Sequence, residues 1–300
     1  MIFELDESLR NFGDKHKIVS MLIKMGEKSH SIVMPDYMYS EVMSWLENRD
    51  YCSSSDYDLL TKNNSFWDPP KDIQGFCTKV VVGTNPDTHL PVERVYEILD
   101  YPSRVFVENG IYDWAALTQW VKIKCGGRQH KSVNKFVQKA IQDKRLDNFH
   151  CGGTNQIVDF VKQRQHAWWP TTIHLKGMVV LDSDKTSLAD PPKHTDIEKG
   201  LATLGVTCHV LYKRELENYF PWECYYNCGI ASKVRPEISP EEYDFIDIQY
   251  HPSFSYAKAQ MINLSRCLTL AQLENRLKHH LNPLKMDEVQ EIIYKFAKII

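Results

Sequence analysis

Short apolar runs that stop at polar turns are the most regular feature of the chain. Residues 104–107 (RVFV) end at Glu108, and the run 177–181 (GMVVL) ends at Asp182. A third run, 206–211, leads into a polar segment. Continuous apolar runs of this length are typical of strands buried on both faces of a parallel sheet. The pattern therefore predicts three buried strands.

Helical periodicity separates these strands. Trp114, Leu117, Trp120 and Val121 recur at spacings of three and four and so form one apolar face. The same kind of pattern predicts further helices over 16–25, 37–48, 133–141, 157–163, 197–204, 269–280 and 286–300. Strands that alternate with helices predict an α/β fold with a central parallel sheet flanked by helices.

The distribution of these elements predicts three regions. Residues 1–99 form an accessory amino-terminal α/β region, in which 52–72 is so rich in Ser, Asn, Asp and Pro that it predicts turns. Residues 100–235 carry the strands and form the central domain. Residues 236–300 form a helical carboxyl-terminal extension.

Composition narrows the class of protein. With 25% charged and 43% hydrophobic residues, the chain has enough apolar surface for a core, which excludes a disordered protein. Its 36 basic and 39 acidic residues give a net charge of -3, which neither indicates nor excludes a nucleic-acid partner. No apolar run of about 18 residues occurs and the amino terminus is acidic, so we expect a cytoplasmic protein without a membrane partner.

Acidic residues at the predicted strand ends are the candidate metal-binding and catalytic residues. They are Glu108 and Asp113 after the first strand, Asp182 and Asp184 after the second, and Glu217 after the third. A single Asp-Ser-Asp or Glu is most often a helix cap or a surface residue. Carboxylates from several strands at one edge, however, need cations to stay ionised, and Mg²⁺ or Mn²⁺ prefers carboxylate oxygen. Two such ions can activate water and stabilise the leaving oxygen of a phosphodiester.

The order of these segments resembles a TOPRIM domain. An apolar strand ending in Glu is followed by one ending in Asp-x-Asp, and then by the segment LYKRELENYF at 211–220, which is similar to OLD-type TOPRIM nucleases. The resemblance covers about residues 104–221. It implies that Glu108 is a metal ligand or general acid/base, that Lys213 offsets charge on the phosphate, and that the remaining metal ligands are Asp182, Asp184 and Glu217.

Asp113 departs from the family pattern. The family usually places Gly directly after the Glu and Asp four residues after it, whereas here Asn109 follows Glu108 and Asp113 lies five residues on. Asp113 is therefore either a metal ligand or a cap of the helix that begins near Trp114. The sequence leaves both alternatives open.

A basic stretch follows the first acidic turn. Its position predicts a track that guides a phosphate backbone toward the metals, although such a run is also typical of a solvated helix face. The residues concerned are Lys122, Lys124, Arg128, Lys131 and Lys135.

Together, the residues and the resemblance predict an endonuclease that uses two Mg²⁺ or Mn²⁺ ions to hydrolyse phosphodiester bonds in DNA or tRNA. Since no P-loop motif is present, an ATPase activity must come from a partner. The chain resembles the separate nuclease subunit of PARIS anti-phage systems, which implies an ABC- or SMC-type ATPase partner and is compatible with a homodimer. Two alternatives are a non-catalytic TOPRIM scaffold and a TOPRIM enzyme of nucleic-acid maintenance, either primase-like or RNA-maturing.

Overall fold

The chain forms two parallel sheets, each in its own unit. The computed structural model describes residues 1–28, 30–67, 71–167, 173–191, 193–278 and 281–300. The first unit comprises Met1–Pro102 with Lys298–Ile300, and the second comprises Ser103–Ala297. The boundary expected after residue 99 lies close to this change of unit. The boundary expected after residue 235 falls inside the second unit.

The first unit contains a three-stranded sheet with the strand order β2-β1-β3, in which both neighbours run parallel to β1. Its strands, β1 to β3, are Ile2–Leu5, Ser31–Val33 and Lys79–Val82. Its helices, α1 to α6, are Lys15–Glu27, Asp36–Glu47, Ser54–Thr61, Asn64–Trp67, Lys71–Gln74 and Val92–Asp100.

The segment 52–72, predicted to form turns, contains the three short helices α3, α4 and α5. Its polar residues start helices as well as break them: the Ser53 hydroxyl accepts a hydrogen bond from the Asp56 backbone N–H at the start of α3. Residues 68–70 of this segment lie outside the described residues. The prediction of turns was therefore wrong for most of the segment.

The second unit contains a four-stranded sheet with the order β5-β4-β6-β7, and every pair is parallel. Its strands, β4 to β7, are Ser103–Val107, Leu146–His150, Gly177–Leu181 and Thr207–Val210. The three predicted strands correspond to β4, β6 and β7. The fourth, β5, was not predicted because its sequence LDNFH has no continuous apolar run.

Ten helices, α7 to α16, begin in the described part of the second unit: Tyr112–Cys125, Lys131–Gln142, Ile157–Ala167, Ile173–Lys176, Thr195–Thr203, Trp222–Asn227, Pro240–Tyr243, Met261–Cys267, Leu270–Leu277 and Glu288–Ile299. The last two residues of the helix predicted over 269–280 lie outside the described residues. None of the described helices has the length and apolar character needed to cross a lipid bilayer. The predicted α/β class, with parallel sheets and flanking helices, is confirmed.

Both faces of the second sheet are buried. Phe106 and Val179 are partners in neighbouring strands and belong to a core cluster with side chains of α9 and α11. Val105 and Val180 point to the opposite face and are also buried. A sheet covered on both faces leaves only its ends open, so the residues that follow the strands are those available for chemistry.

The carboxyl-terminal helices are part of this unit because they pack on it through buried polar contacts as well as apolar ones. Helix α14 packs against α7. The carboxylate of Glu288, at the start of α16, accepts hydrogen bonds from the Tyr212 backbone N–H at 2.7 Å and from the Tyr219 hydroxyl, and lies 2.9 Å from His209 Nε2. These contacts tie the region after β7 to the sheet.

Substitution of Val179 by Ala tests the importance of this core. Val179 is fully buried, so the loss of its methyl groups should lower the free energy of unfolding by about 2 kcal/mol. Val234→Ala is the matched control at a position that is 78% exposed, and it should change the free energy of unfolding by less than about 0.5 kcal/mol. Urea unfolding followed by tryptophan fluorescence measures both, and equal effects would contradict the assignment of the core.

Candidate functional site

Acidic residues that follow two neighbouring strands line one cleft. Glu108 comes directly after β4 and Asp182 directly after β6, and the parallel register of these strands brings both to the same edge of the sheet. They line a small cleft together with Asp113 and Leu216. The cleft is small, with a volume of about 10 Å³.

Glu108 is the exposed carboxylate of this cleft. Its Oε2 accepts a hydrogen bond of 2.9 Å from the Thr154 hydroxyl. Thr154 follows the Gly152-Gly153 turn, where both residues have positive φ, of 73° and 153°, so the glycines permit a backbone that other residues rarely adopt. The turn that follows β5 thus positions a partner for Glu108.

Asp113 uses its two oxygens differently. Its Oδ2 accepts a hydrogen bond of 2.7 Å from the Asn109 N–H, while Asn109 Oδ1 accepts the N–H groups of Ile111 and Tyr112 at the start of α7. Its Oδ1 lies 3.1 Å from the ammonium of Lys258. Burial raises the pKa of Asp113, and the charge of Lys258 opposes this shift. Asp113 therefore both stabilises the turn and faces the other carboxylates.

Asp182 and Asp184 lie in different surroundings. Asp182 Oδ1 accepts a hydrogen bond of 3.1 Å from the Leu216 N–H, and burial raises the pKa of Asp182 well above its ordinary value. Asp184 has a left-handed backbone, with φ of 51°, and its carboxylate lies 3.2 Å from His194 Nε2. The side chains of residues i and i+2 point to the same side only in an extended backbone, so Asp184 does not follow Asp182 into the cleft. Among the described residues that line the cleft, Asp182 is present and Asp184 is not.

Glu217 lies on the 3₁₀ helix Leu216–Tyr219, after β7, and is 2% exposed. Its Oε1 accepts a hydrogen bond of 3.0 Å from the Tyr256 hydroxyl and lies 2.9 Å from Lys258 Nζ. Its Oε2 is buried without a hydrogen-bond partner. Burying a carboxylate oxygen without a partner costs free energy, so a donor or cation that reaches Glu217 Oε2 would be stabilising.

Among the described residues, Lys258 is the cation that contacts Asp113 and Glu217, and it was not predicted from the sequence. Lys213, predicted to offset phosphate charge, instead forms a buried ion pair with Asp244 and lies 5.5 Å above the Tyr219 ring. Burial lowers the pKa of Lys213 to about 8, although Asp244 opposes this shift. The structure thus gives Lys213 a partner in the core, and it is Lys258 whose ammonium contacts the carboxylates. No local sequence pattern marks Lys258.

The donor chemistry of the cluster fits a hard divalent cation. All of its ligand atoms are carboxylate oxygens, and one of them, Glu217 Oε2, is buried and unpartnered. Within the described ranges, however, no three His, Cys, Asp or Glu side chains are already arranged around one point as a metal site. Instead, Asp113 and Glu217 are both in contact with Lys258. Glu108 and Asp182, which both line the cleft, are the residues that would hold an ion.

The predicted basic track lies at some distance from this cleft. Lys122, Arg128, Lys131 and Lys135 are exposed, whereas Lys124 is buried and forms an ion pair of 2.7 Å with Asp287. Helix α7 begins beside the acidic cluster and ends next to these residues; its 14 residues span about 20 Å. At that end, Lys124 and Arg128 line a groove of about 460 Å³ together with His130, Lys278 and Lys285.

Asp244→Asn tests the structural role of Lys213. The variant removes the carboxylate that pairs with the buried Lys213 ammonium and with the Arg276 guanidinium, and should lower the free energy of unfolding by about 3–5 kcal/mol. Glu223→Gln breaks the exposed ion pair with Arg235 and should cost less than about 1 kcal/mol. Urea unfolding measures both. A neutral effect of Asp244→Asn would show that the ion pair does not stabilise the fold.

Comparison of the chain with protein-family models, with curated proteins and with solved structures gives no match. The resemblance to TOPRIM nucleases therefore rests on the sequence motifs. The function has to be inferred from the residues of the cleft and from what surrounds them.

Proposed function

We propose that this chain is a divalent-metal-dependent nuclease with a TOPRIM-like catalytic domain, which hydrolyses phosphodiester bonds in DNA or tRNA. The observation that carries the proposal is the position of Glu108 and Asp182, which follow neighbouring parallel strands and line one cleft with Asp113. The all-parallel order β5-β4-β6-β7 supports the TOPRIM-like assignment. The expected roles of an ATPase partner and of anti-phage defence remain proposals based on the resemblance.

The residues of the cleft suit phosphodiester hydrolysis. The reaction adds a water oxygen to phosphorus while the bond from phosphorus to the leaving sugar oxygen breaks, so the water must lose a proton and the phosphate charge must be offset. Glu108 is exposed and can accept that proton. Lys258 can offset charge on a phosphate oxygen because one-third of its side chain is exposed. A bound Mg²⁺ or Mn²⁺ supplies a Lewis acid and lowers the pKa of its water.

The groove at the far end of α7 is lined by more basic than acidic side chains, since Lys124, Arg128, Lys278 and Lys285 outnumber Glu274 and Asp287, and this supports a nucleic-acid substrate. A nucleic acid whose phosphates bind in this groove and which is cleaved at the acidic cleft must span about 20 Å, the length of α7. Exposed Lys and Arg side chains bind phosphates without regard to sequence, which is compatible with either DNA or RNA. The proposed substrate is therefore a polymer and not a single nucleotide.

A second candidate is a non-catalytic TOPRIM scaffold. The contacts of Lys258 with Asp113 and Glu217 favour it, because an ammonium that already neutralises two carboxylates stabilises the cluster without a metal. In that case the acidic residues serve the fold and not a reaction.

Cleavage by two carboxamide variants distinguishes the candidates. Asp182→Asn and Glu108→Gln should each lower the rate of cleavage of DNA or tRNA by about 100-fold or more, since each removes a carboxylate that would hold the metal ion. Asp196→Asn changes a fully exposed carboxylate on α11 and should cleave at the wild-type rate. The assay uses the purified chain with Mg²⁺ and with Mn²⁺, alone and together with a co-encoded ATPase.

Circular dichroism and thermal unfolding serve as controls that all three variants fold. Wild-type cleavage by Asp182→Asn would contradict the nuclease proposal. If the wild-type chain cleaves no substrate in any combination and binds no Mn²⁺, the scaffold is the better assignment.

A further inference from the structure

We propose that Cys228 and Cys267 form a redox-sensitive thiol pair, which a peroxide converts to a disulfide that joins α12 to α14. This modification site is independent of the proposed nuclease activity. It is carried by the contact between the two sulfur atoms and by the packing of the helices that bear them. The connection of these helices to Glu217 and Lys258 gives the bond its structural consequence.

The two sulfur atoms are already in contact. They lie 3.2 Å apart, and one thiol donates a hydrogen bond to the other. A disulfide bond is about 2.05 Å long, so the sulfurs have to approach each other by about 1.2 Å. Each cysteine has one rotatable bond, χ1, that moves its sulfur, and rotation about these bonds closes the gap. The two residues are 39 positions apart, so the fold and not the local chain brings them together.

Two packed helices hold the cysteines in place. Cys228 directly follows α12, and its backbone N–H donates to the carbonyl of Cys224 at 3.1 Å. Cys267 is the last residue of α14, which packs against α12. Both cysteines are free and half-buried, so a molecule as small as hydrogen peroxide reaches them.

The third cysteine of this region, Cys224, has a different environment. It is buried, its sulfur lies 3.9 Å from Gln272 Oε1, and burial raises the pKa of its thiol to about 12. A thiol that keeps its proton reacts poorly. In the described part of the chain, no three His, Cys, Asp or Glu side chains are arranged to hold a metal, so the site is a pair of thiols and not a zinc site.

The two members of the pair have different roles in the oxidation. Burial and the hydrogen bond with Cys267 raise the pKa of Cys228 to about 11, so Cys228 keeps its proton and acts as the donor of the pair. Cys267 is therefore the sulfur that attacks a peroxide oxygen. The oxygen–oxygen bond breaks, Cys267 becomes a sulfenic acid, and the other oxygen leaves as water with the proton of Cys267.

The second step forms the disulfide. The sulfur of Cys228 attacks the sulfur of Cys267, the sulfur–oxygen bond breaks, and a second water leaves with the proton of Cys228. The two thiols lose two electrons in total, and hydrogen peroxide gains them. A thiol reductant reverses the reaction by exchange. In a compartment that keeps thiols reduced, the bond therefore forms only while an oxidant is present.

The bond closes a loop that contains Lys258. At one end of this loop, Tyr225 of α12 donates its hydroxyl to the carbonyl of Glu217 at 2.8 Å. Near the other end, Lys258 precedes α14 by three residues and lies 2.9 Å from the Glu217 carboxylate. Closing a long loop lowers the entropy of the unfolded chain. We therefore expect the oxidised chain to be more stable than the reduced chain.

Thiol counting and peptide mapping of the full chain test this inference. After treatment with equimolar hydrogen peroxide, the wild-type chain should lose two of its eight thiols, and mass spectrometry should find the Cys228 and Cys267 peptides joined. Dithiothreitol should restore both thiols. Cys228→Ser should form no disulfide. Cys125→Ser, at a half-buried cysteine on α7, is the matched control and should lose two thiols as the wild type does.

Thermal unfolding measures the effect of the bond on stability. Oxidation should raise the midpoint of unfolding of the wild-type chain by about 5–10 °C. The same treatment should leave the midpoint of Cys228→Ser unchanged, because that variant cannot close the loop.

The outcomes do not depend on nuclease activity, since no metal or nucleic acid is present in these measurements. Retention of all eight thiols at excess peroxide, a disulfide that includes Cys224, or a cross-link between two chains would overturn the proposed pair. A disulfide that leaves the unfolding midpoint unchanged, or lowers it, overturns its stabilising role. If Cys228→Ser does not fold, the peptide map of the wild-type chain decides the pairing by itself.

Discussion

Repulsion among carboxylates at one sheet edge is the constraint that shapes this part of the molecule. Parallel strands bring Glu108 and Asp182 to the same cleft, and Asp113 at the start of α7 and Glu217 on the 3₁₀ helix after β7 contact the nearby Lys258. Buried like charges raise one another's pKa and destabilise a fold unless a cation compensates them. Lys258 provides that compensation, so the position of the segment around it is as important to the site as the strands are.

The region after β7 therefore completes the site, in addition to extending the fold. It supplies Lys258 and Tyr256 to the carboxylates and Asp244 to the buried Lys213. Glu288 of α16 then ties this region back to the sheet through Tyr219. A chain that ended after β7 would retain the strand-end carboxylates but lack the charges that balance them.

The sequence predicts the strands and the acidic residues beside them, because both depend on local patterns. It does not predict contacts between residues that are far apart in the chain. Continuous apolar runs predicted β4, β6 and β7, and Glu108 and Asp182, directly after β4 and β6, predicted the cleft, whereas the polar sequence of β5 carried no such signal. The resemblance grouped Asp184 with Asp182 as metal ligands, but Asp184 has a left-handed backbone and its carboxylate lies beside His194, which the local sequence does not indicate. Lys213 and Lys258 could not be told apart by sequence, because only the fold shows which ammonium meets Asp244 and which meets Glu217.

The central claim is that the carboxyl edge of the second sheet holds a divalent cation between two strand ends. A crystal structure of the chain grown with Mn²⁺, with anomalous data collected near the manganese edge, tests it most directly. The account predicts an anomalous peak in contact with carboxylate oxygens of both Glu108 and Asp182. A cleft without such a peak at saturating Mn²⁺, with Lys258 still in contact with Asp113 and Glu217, would contradict it.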